Sequence, residues 1–503
     1  MAAQDWAALG LDGPALARVE RCARTWLDLV TGLQQSGGWA LKYGLPDFTV
    51  EVWPPYQPVV DANPHCTIIA NSKAYTTSHT ALQFAYAWEC LGEPRYLDVA
   101  RATADMYLRS QSPEGWWATS IFINAEGEPF LPEQLMPWHV TRNLLIQDNA
   151  QTGPLQLLLY MSRLTGEERY LDAALRSGGL LLRAQNPNGS WSYTYNSETG
   201  TGFSYKGVEH GGELNDGATT DAMTKLLMLY QLTGERKYLD PIVRAADWLV
   251  EAQLDGPTWG WAAQYDAEDN PSWARLFEPP AVDDGNGTQA AIAGLLFAWN
   301  LTGDDRYLAP IDRCITWLKQ IRDADPDGIV WNYYDPTTAR PLMAENNQIS
   351  YLDTDAQARA KAKGNPGYLG GPAVANGGIE AREQKLRTYR ERGPLCLTEA
   401  DTTPPTTEAL AGRARQWQVR AEEGATALEA FYADMTGDLA VVDGRGRIYP
   451  MLDFIRYARA AAGLIPPERM LTEIYLYTRA DSHVIANPNI FRTPLGAGRQ
   501  ADG

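Results

Sequence analysis

Segments with few charges alternate with amphipathic segments along most of this chain. Residues 154–161 and 290–299 carry no charged side chain, which is typical of helices buried on nearly all sides. Residues 169–176 follow the first of these segments and have one polar face. The alternation therefore predicts pairs of helices, each with one inner and one outer member.

A short motif marks the turn within each pair: a Leu, a Gly, then a basic residue followed by Tyr-Leu. The motif tyrosines are 74, 68 and 69 residues apart, at Tyr96, Tyr170, Tyr238 and Tyr307. A period near 70 fits two helices of roughly 15 to 20 residues with two connections. Fully apolar inner helices need neighbours on all sides, so we predict an all-α fold, an (α/α) toroid of helical hairpins.

Thr-Gly-Glu or Thr-Gly-Asp fills this turn in three of the four copies. We expect Thr165, Thr233 and Thr302 to cap the outer helix, because a Thr hydroxyl satisfies free backbone N–H groups there. The acids that follow suit the positive end of the same helix.

The repeats and the length of 503 residues, 45% of them apolar, predict one toroid domain over residues 1–503. A helix is expected at 16–33, and residues 345–503 read as a loop-rich extension that adds helices or a lid. Within it we predict helices at 408–433 and 451–462 and a loop at 361–378.

The formal net charge of -19 and the sequence pI near 4.8 argue against nucleic acid and anionic membranes as partners. Residues 1–35 lack a secretory pattern, which predicts a cytoplasmic monomer, or a periplasmic or secreted one if the sequence is already trimmed. The five cysteines have no metal-type spacing, and we expect them to be reduced.

Acidic and amide residues stand just before successive inner helices, as the pairs Asp148-Asn149, Asn215-Asp216 and Asp283-Asp284. Inner helices that run in the same direction would gather these side chains at one mouth. Each residue could instead cap its own helix, since Asp and Asn are strong N-caps. Several carboxylates that converge on one cavity, together with amides, predict an oxygen-ligand site for a hard cation such as calcium.

The loops after the outer helices repeat a Gln and a Trp, and they include Trp191 and Trp261. Flat aromatic rings in a cleft suit sugar rings, so the 17 Trp and 25 Tyr of the chain favour a carbohydrate. The alternative is that each Trp plugs the end of its hairpin.

Five segments resemble, in order, motifs of the family 10 pectate lyases: residues 148–152, 184–191, 214–218, 261–266 and 274–280. The resemblance covers roughly residues 140–345. It implies an (α/α) toroid that cleaves polygalacturonate by calcium-assisted β-elimination with an arginine base. It further implies that Asp148 and Asp216 are calcium-associated, that Arg275 binds substrate, and that Glu278 belongs to the same motif.

The chain departs from that family at the base, where Asn332 replaces the arginine. An amide cannot take a proton, so Tyr333, Tyr334, Lys206 or His210 would have to act as the base, with Arg340 as a nearby cation. The predicted catalytic residues are Asp216, Arg275, Arg340, Tyr334 and His210. The predicted substrate-binding residues are Asp148, Asn149, Asn215, Trp191, Trp261, Glu278, Asp283, Asp284, Asn332 and Tyr333.

The sequence leaves two alternatives to a lyase that acts on a uronate-containing glycan. Asp148 and Asp216, or Asp216 with Asp283 or Asp284, could form the carboxyl pair of a glycoside hydrolase. The protein could also be a sugar-binding toroid without catalytic activity, as the missing arginine suggests.

Overall fold

The computed structural model describes residues 5–50, 61–62, 67–71, 77–131, 134, 143–366, 369–373, 378–397, 403–441 and 445–466. Helices dominate these ranges. In chain order they are α1 (Gly13–Gly32), α2 (Thr77–Leu91), α3 (Pro94–Ser110), α4 (Thr152–Thr165), α5 (Glu168–Ala184), α6 (Ala218–Thr233), α7 (Asp240–Glu251), α8 (Gly287–Thr302), α9 (Ala309–Ala324), α10 (Ala356–Lys363), α11 (Gly378–Arg392), α12 (Thr407–Asp434) and α13 (Arg445–Ala461).

Short antiparallel strands occupy the connections between the helices. They are β1 (Tyr43–Gly44), β2 (Thr49–Val50), β3 (Thr67–Asn71), β4 (Ser120–Ile123), β5 (Asn143–Leu145), β6 (Thr194–Asn196), β7 (Thr201–Phe203), β8 (Val282–Asp283), β9 (Tyr333–Tyr334), β10 (Pro341–Glu345), β11 (Gln348–Tyr351) and β12 (Asp438–Leu439). The strand orders are β12-β1-β2, β3-β4, β5-β6-β7 and β11-β10-β9-β8.

The predicted fold class, all-α with (α/α) helical hairpins, is confirmed. The four motif copies lie at the turns of α2/α3, α4/α5, α6/α7 and α8/α9. Each inner helix is buried along almost its whole length, whereas each outer helix keeps a polar face. The charge-poor segments at 154–161 and 290–299 lie within α4 and α8.

The motif glycine ends the inner helix in every copy. Gly92, Gly166, Gly234 and Gly303 have φ angles of 72°, 73°, 73° and 73°, a left-handed conformation that glycine adopts without a Cβ clash. The repeated Leu-to-Gly spacing is therefore a helix C-terminal signal.

The expected capping role of the motif threonines is wrong. The hydroxyls of Thr165, Thr233 and Thr302 each donate, at 2.8 Å, to the carbonyl oxygen four residues earlier in the inner helix. Each threonine Oγ1 also accepts the backbone N–H of the residue two positions later, at 3.2 Å. The hydroxyl thus closes the incoming helix, because its own backbone still belongs to that helix.

A glutamine just after three of the four outer helices joins neighbouring hairpins. The amides of Gln111, Gln185 and Gln253 donate to carbonyl oxygens of the following hairpin at 2.9, 2.8 and 2.8 Å. Their carbonyl oxygens accept guanidinium groups from that hairpin, in the pairs Gln111–Arg176, Gln185–Arg244 and Gln253–Arg313. The repeated loop glutamine therefore sets hairpin spacing.

The contacts divide the chain into two compact units. One comprises Met1–Thr141, Gly153–Ser177 and Asp401–Tyr477, and the other comprises Arg142–Thr152, Gly178–Ala400 and Thr478–Gly503. The single domain over 1–503 stays a prediction. In the first unit α12 and α13 pack on each other.

The helices predicted in the C-terminal third are confirmed as α12 and α13, and α1 confirms the one predicted near the N-terminus. Of the predicted loop at 361–378, the first residues belong to α10, and 367–368 and 374–377 lie outside the described residues. Pro372 pairs with Trp331 beside β9.

Within the described ranges, no helix has the length and apolar character needed to cross a bilayer. Cys22, Cys90, Cys314 and Cys396 are free thiols, and Cys66 lies outside these ranges.

Candidate active site

The turns that precede α4 and α6 meet backbone to backbone in the second unit. Asp148, Asn149 and Asp216 have left-handed φ angles of 61°, 57° and 46°, and the Asp148 N–H donates to the Asp216 carbonyl oxygen at 3.3 Å. This conformation is unfavourable in energy for residues other than glycine, and strained backbone of this kind is concentrated at functional sites. The structure therefore brings two of the predicted acids together.

The Asp216 side chain does not cap α6. Its Oδ2 accepts a short hydrogen bond from the Gln147 amide and lies 3.5 Å from Arg275 Nη2. The Asp216 side chain is 32% exposed and that of Arg275 is 40% exposed. This pair is accessible to a ligand.

A closed turn fixes Arg275. Its N–H donates to Glu278 Oε2 at 3.0 Å, and its Nη2 lies 2.6 Å from Glu278 Oε1. Burial opposes the charge of Arg275, but Glu278, Asp216 and Asp148 outweigh it and raise the arginine pKa. The guanidinium stays charged between these carboxylates, and its ring neighbour is Phe277 at 5.5 Å.

Glu213 is a site residue that sequence reasoning missed. It is 1% exposed, and among the described residues neither carboxyl oxygen has a hydrogen-bond partner. Burial and the charges of Glu278 and Asp216 raise its pKa well above the usual value, although the Gln264 amide and Arg275 oppose the shift. This shift favours the protonated, uncharged form of Glu213.

The sequence analysis also missed a pair of charged residues that lie one turn apart on α6. Asp221 and Lys225 are both buried. Burial raises the pKa of Asp221 to about 7, with Lys225 opposing and Asp148 adding to the shift. Burial also lowers the pKa of Lys225. An acid four residues before a lysine inside an apolar inner helix was the available sequence signal.

Asp283 lies opposite Tyr333 in the β8–β9 pair. Its Oδ1 accepts the Asn286 N–H at 2.9 Å and so closes the turn that precedes α8. Burial, with the charge of Glu278, raises its pKa to about 7. Burial and the charges of Asp283 and Glu278 raise the pKa of Tyr333.

Other members of the acidic pairs have structural partners. The Asn149 Oδ1 accepts a hydrogen bond from the Thr152 hydroxyl at 2.8 Å at the start of α4. The Asn215 N–H donates to the Ala263 carbonyl oxygen at 3.2 Å, while its buried Oδ1 has no partner within the described residues.

Asp284 is turned to a different neighbour. Its carboxylate lies 2.6 Å from Arg382 Nη1 on α11, and the two side chains are 3% and 9% exposed. This pair is a buried structural ion pair, so the prediction that Asp284 binds substrate is not supported.

The prediction that Trp191 and Trp261 bind sugar is wrong. Both side chains are fully buried, and their indole N–H groups donate to the carbonyl oxygens of Leu181 and Leu249, near the ends of the outer helices. Neither ring has a free face. The alternative interpretation, a plug at the hairpin end, matches this geometry.

Tyr334, Asn332 and Arg340 do not supply the missing base. The buried Tyr334 hydroxyl accepts the Trp331 N–H at 2.7 Å, and burial raises its pKa. Asn332 is also buried. Arg340 is paired with Asp353 at 2.7 Å, away from these acids along the β10 edge.

His210 lies at the end of the β6–β7 hairpin. It has a φ of 57° and donates its N–H to the Gly202 carbonyl oxygen at 2.8 Å. No hydrogen bond or ion pair recorded for the described residues joins it to Asp216.

The predicted calcium ligands fall short of what calcium takes. Calcium binds six to eight oxygen atoms, with several carboxylates or carbonyls from the protein. In the described part of the chain, no group of three or more His, Cys, Asp and Glu side chains has metal-binding geometry. Arg275 also takes the place of a cation beside Asp216.

No family model and no curated protein matches the sequence. Among solved structures, the chain is similar to a family 10 polysaccharide lyase from Cellvibrio cellulosa, with 15% identity over 57% of this chain and 92% of that one and a TM-score of 0.41. A cellobiose 2-epimerase from Bacillus thermoamylovorans matches with 14% identity over 74% and 87% of the chains and a TM-score of 0.40.

An unsaturated glucuronyl hydrolase specific for heparin matches with 10% identity over 89% of this chain and 98% of that one, with a TM-score of 0.40. Likeness at these identities concerns the fold alone. It does not decide the reaction.

Proposed function

We propose that this protein is a carbohydrate-active enzyme that cleaves a glycan at Asp216 and Arg275. One observation carries the proposal: the accessible carboxylate of Asp216 is paired with the fixed guanidinium of Arg275, and its charge contributes to the raised pKa of the buried Glu213. Carboxyl groups in such unequal environments are what general acid and base chemistry requires.

Hydrolysis is the reaction that this arrangement supports best. A glycosidase needs one protonated carboxyl group to donate to the leaving oxygen and one ionised carboxylate as base or nucleophile. We assign the ionised role to Asp216, which receives Gln147 and Arg275 as partners. We assign the acid role to Glu213, whose proton goes to the leaving glycosidic oxygen while Asp216 takes a proton from the attacking water.

The charge balance favours a glycan without carboxylates. Arg275 already compensates Glu278, which lies 2.6 Å away, and it also faces Asp216 and Asp148. Little positive charge is left to attract a uronate, whose own carboxylate would meet these acids.

β-Elimination on a uronate remains the second candidate. The motif resemblance supports it, as does the approach of the Asp148 and Asp216 turns. It requires a base, but burial raises the pKa of both candidate tyrosines, Tyr333 and Tyr334. The described donors do not build a calcium site, so no step is assigned to the metal.

The test is an activity screen that separates the two reactions. Polygalacturonate, mixed-linkage β-1,3-1,4-glucan and α-1,6-mannan would be incubated with the protein, with and without added calcium. New reducing ends report either cleavage, whereas near-ultraviolet absorbance reports only the double bond made by elimination.

We expect reducing ends without absorbance, and their loss in Asp216→Asn but not in the exposed control Asp172→Asn. Absorbance that depends on calcium would support elimination instead. Saturable oligosaccharide binding with no product over a long incubation would overturn both reactions and leave a sugar-binding protein.

A further inference from the structure

A rigid loop presents an exposed tyrosine near the acidic site. Ser204 N–H donates to the Val208 carbonyl oxygen at 2.8 Å, and Gly207 N–H donates to the Ser204 carbonyl oxygen at 2.9 Å. The Ser204 hydroxyl also accepts the Val208 N–H at 3.1 Å. These bonds close the turn beyond β7 and fix Tyr205 and Lys206 at its tip.

Tyr205 packs edge to face on Tyr193, with ring centroids 5.2 Å apart and an interplanar angle of 62°. This pairing uses only part of the Tyr205 ring, since the residue remains 44% exposed. The Lys206 ammonium lies 6.0 Å from the ring centroid. An aromatic ring held this firmly in water is a surface for a ligand.

Tyr193 connects this ring to the reaction centre. Its carbonyl oxygen accepts the Ile146 N–H at 3.0 Å and the Gln147 N–H at 3.5 Å. Gln147 then donates its side-chain amide to Asp216. One residue therefore separates the aromatic pair from the carboxylate that is assigned to cleavage.

A second apolar surface adjoins the other side of the arginine loop. Leu276 directly follows Arg275 and is 50% exposed, and its carbonyl oxygen accepts the Asn347 N–H at 2.8 Å. Ile349, two residues beyond Asn347, is also exposed. Of the six large apolar side chains exposed in the described ranges, three lie on these two loops, Tyr205, Val208 and Leu276, and Ile349 lies in β11.

We infer that the Tyr193–Tyr205 pair is a sugar-binding subsite, on which a ring of the glycan chain stacks beside the bond that is cleaved at Asp216. The axial C–H groups of a sugar pack on an aromatic ring, and Lys206 donates to its hydroxyl oxygens. Because this inference rests on the proposed glycan substrate, it assigns where the chain extends rather than what reacts.

The test uses the oligosaccharides of the glycan that the wild type cleaves, separated by length from dimer to hexamer. For Tyr205→Ala we expect KM for the longer oligomers to rise about tenfold, since one ring contact is lost, with kcat nearly unchanged. Dimers that do not reach the loop should be cleaved as by the wild type. Tyr205→Trp, which keeps a ring, should retain the low KM.

Val419→Ala, which removes an exposed apolar side chain from α12, serves as the control for surface changes. Melting curves of all variants should coincide, because Tyr205 is on the surface. If the wild type cleaves the glycan and Tyr205→Ala matches it at every length, the subsite is refuted while the proposed function stands. If no glycan is cleaved or bound, both the subsite and the proposed function are refuted.

Discussion

Arg275 and Glu278 are joined twice. The Arg275 backbone N–H donates to Glu278 Oε2 at 3.0 Å, and the guanidinium lies 2.6 Å from Glu278 Oε1. Glu278 is itself buried, so one carboxylate fixes both ends of the arginine. The same Nη2 that meets Glu278 lies 3.5 Å from Asp216 Oδ2, so Glu278 also sets the position of the guanidinium relative to Asp216.

Glu278→Gln should reduce activity more than stability. The amide keeps an acceptor for Arg275 but loses the charge, and we expect unfolding to become easier by only about 1 kcal/mol because Arg275 is half exposed. The arginine would lose its fixed position, so kcat should fall about tenfold. Glu209→Gln on the exposed hairpin is the control, and an unchanged kcat in Glu278→Gln would contradict the positioning role.

Glu213→Gln should change how stability depends on pH. The folded protein holds the Glu213 proton above pH about 4.3, where the unfolded chain releases it, so stability falls as pH rises towards the raised native pKa. Glutamine does not titrate. Relative to the wild type, the variant should therefore gain stability as pH rises above about 4.3. If the melting temperatures of the wild type and of Glu213→Gln change with pH in the same way, Glu213 is ionised in the folded protein.

The glycines of α5 should respond in opposite ways to alanine. At Gly179 an added Cβ meets only an Arg183 nitrogen at 3.5 Å, so Gly179→Ala should stabilise by roughly 0.5 to 1 kcal/mol. At Gly178 it would lie 2.4 Å from Leu229 Cδ1 in the core, so Gly178→Ala should destabilise by about 1 to 3 kcal/mol. Chemical denaturation measures both, and equal effects would contradict the packing of α5 on α6.

Arg382→Gln should unfold the protein more easily without affecting chemistry. Removing the arginine leaves Asp284 buried and unpaired, at a cost of about 3 to 5 kcal/mol. Replacing both residues by apolar side chains should recover most of this loss. The enzyme that remains folded should keep the wild-type kcat. A loss of kcat in the stable double variant would show that Asp284 takes part in the reaction.

The sequence was sufficient for the hairpins because their signals are local. The Leu and Gly of each motif end an inner helix through backbone geometry that involves only neighbouring residues. The threonine role was predicted incorrectly for a related reason. A Thr just before that glycine still belongs to the incoming helix, so its hydroxyl bonds backwards to that helix.

The site was only partly predictable because burial and pairing depend on distant segments. The order of motifs indicated that Asp216 and Arg275 belong together, and they lie 3.5 Å apart. The residues next to Asp284 in the sequence do not predict its partner Arg382, which is 98 residues away. Glu213 likewise becomes unusual only when Glu278, Asp216 and the core enclose it.

The most direct measurement is the turnover of Asp216→Asn beside its melting curve. Asn tolerates the left-handed φ of 46° at this position, so the fold should lose less than roughly 0.5 kcal/mol. Asp216 lies at the accessible centre of the acid cluster, so glycan cleavage should fall at least about a thousandfold. Full turnover in a variant with a normal melting curve would contradict a reaction centre at Asp216, and a collapsed melting temperature with turnover retained would show that Asp216 only stabilises the turn before α6.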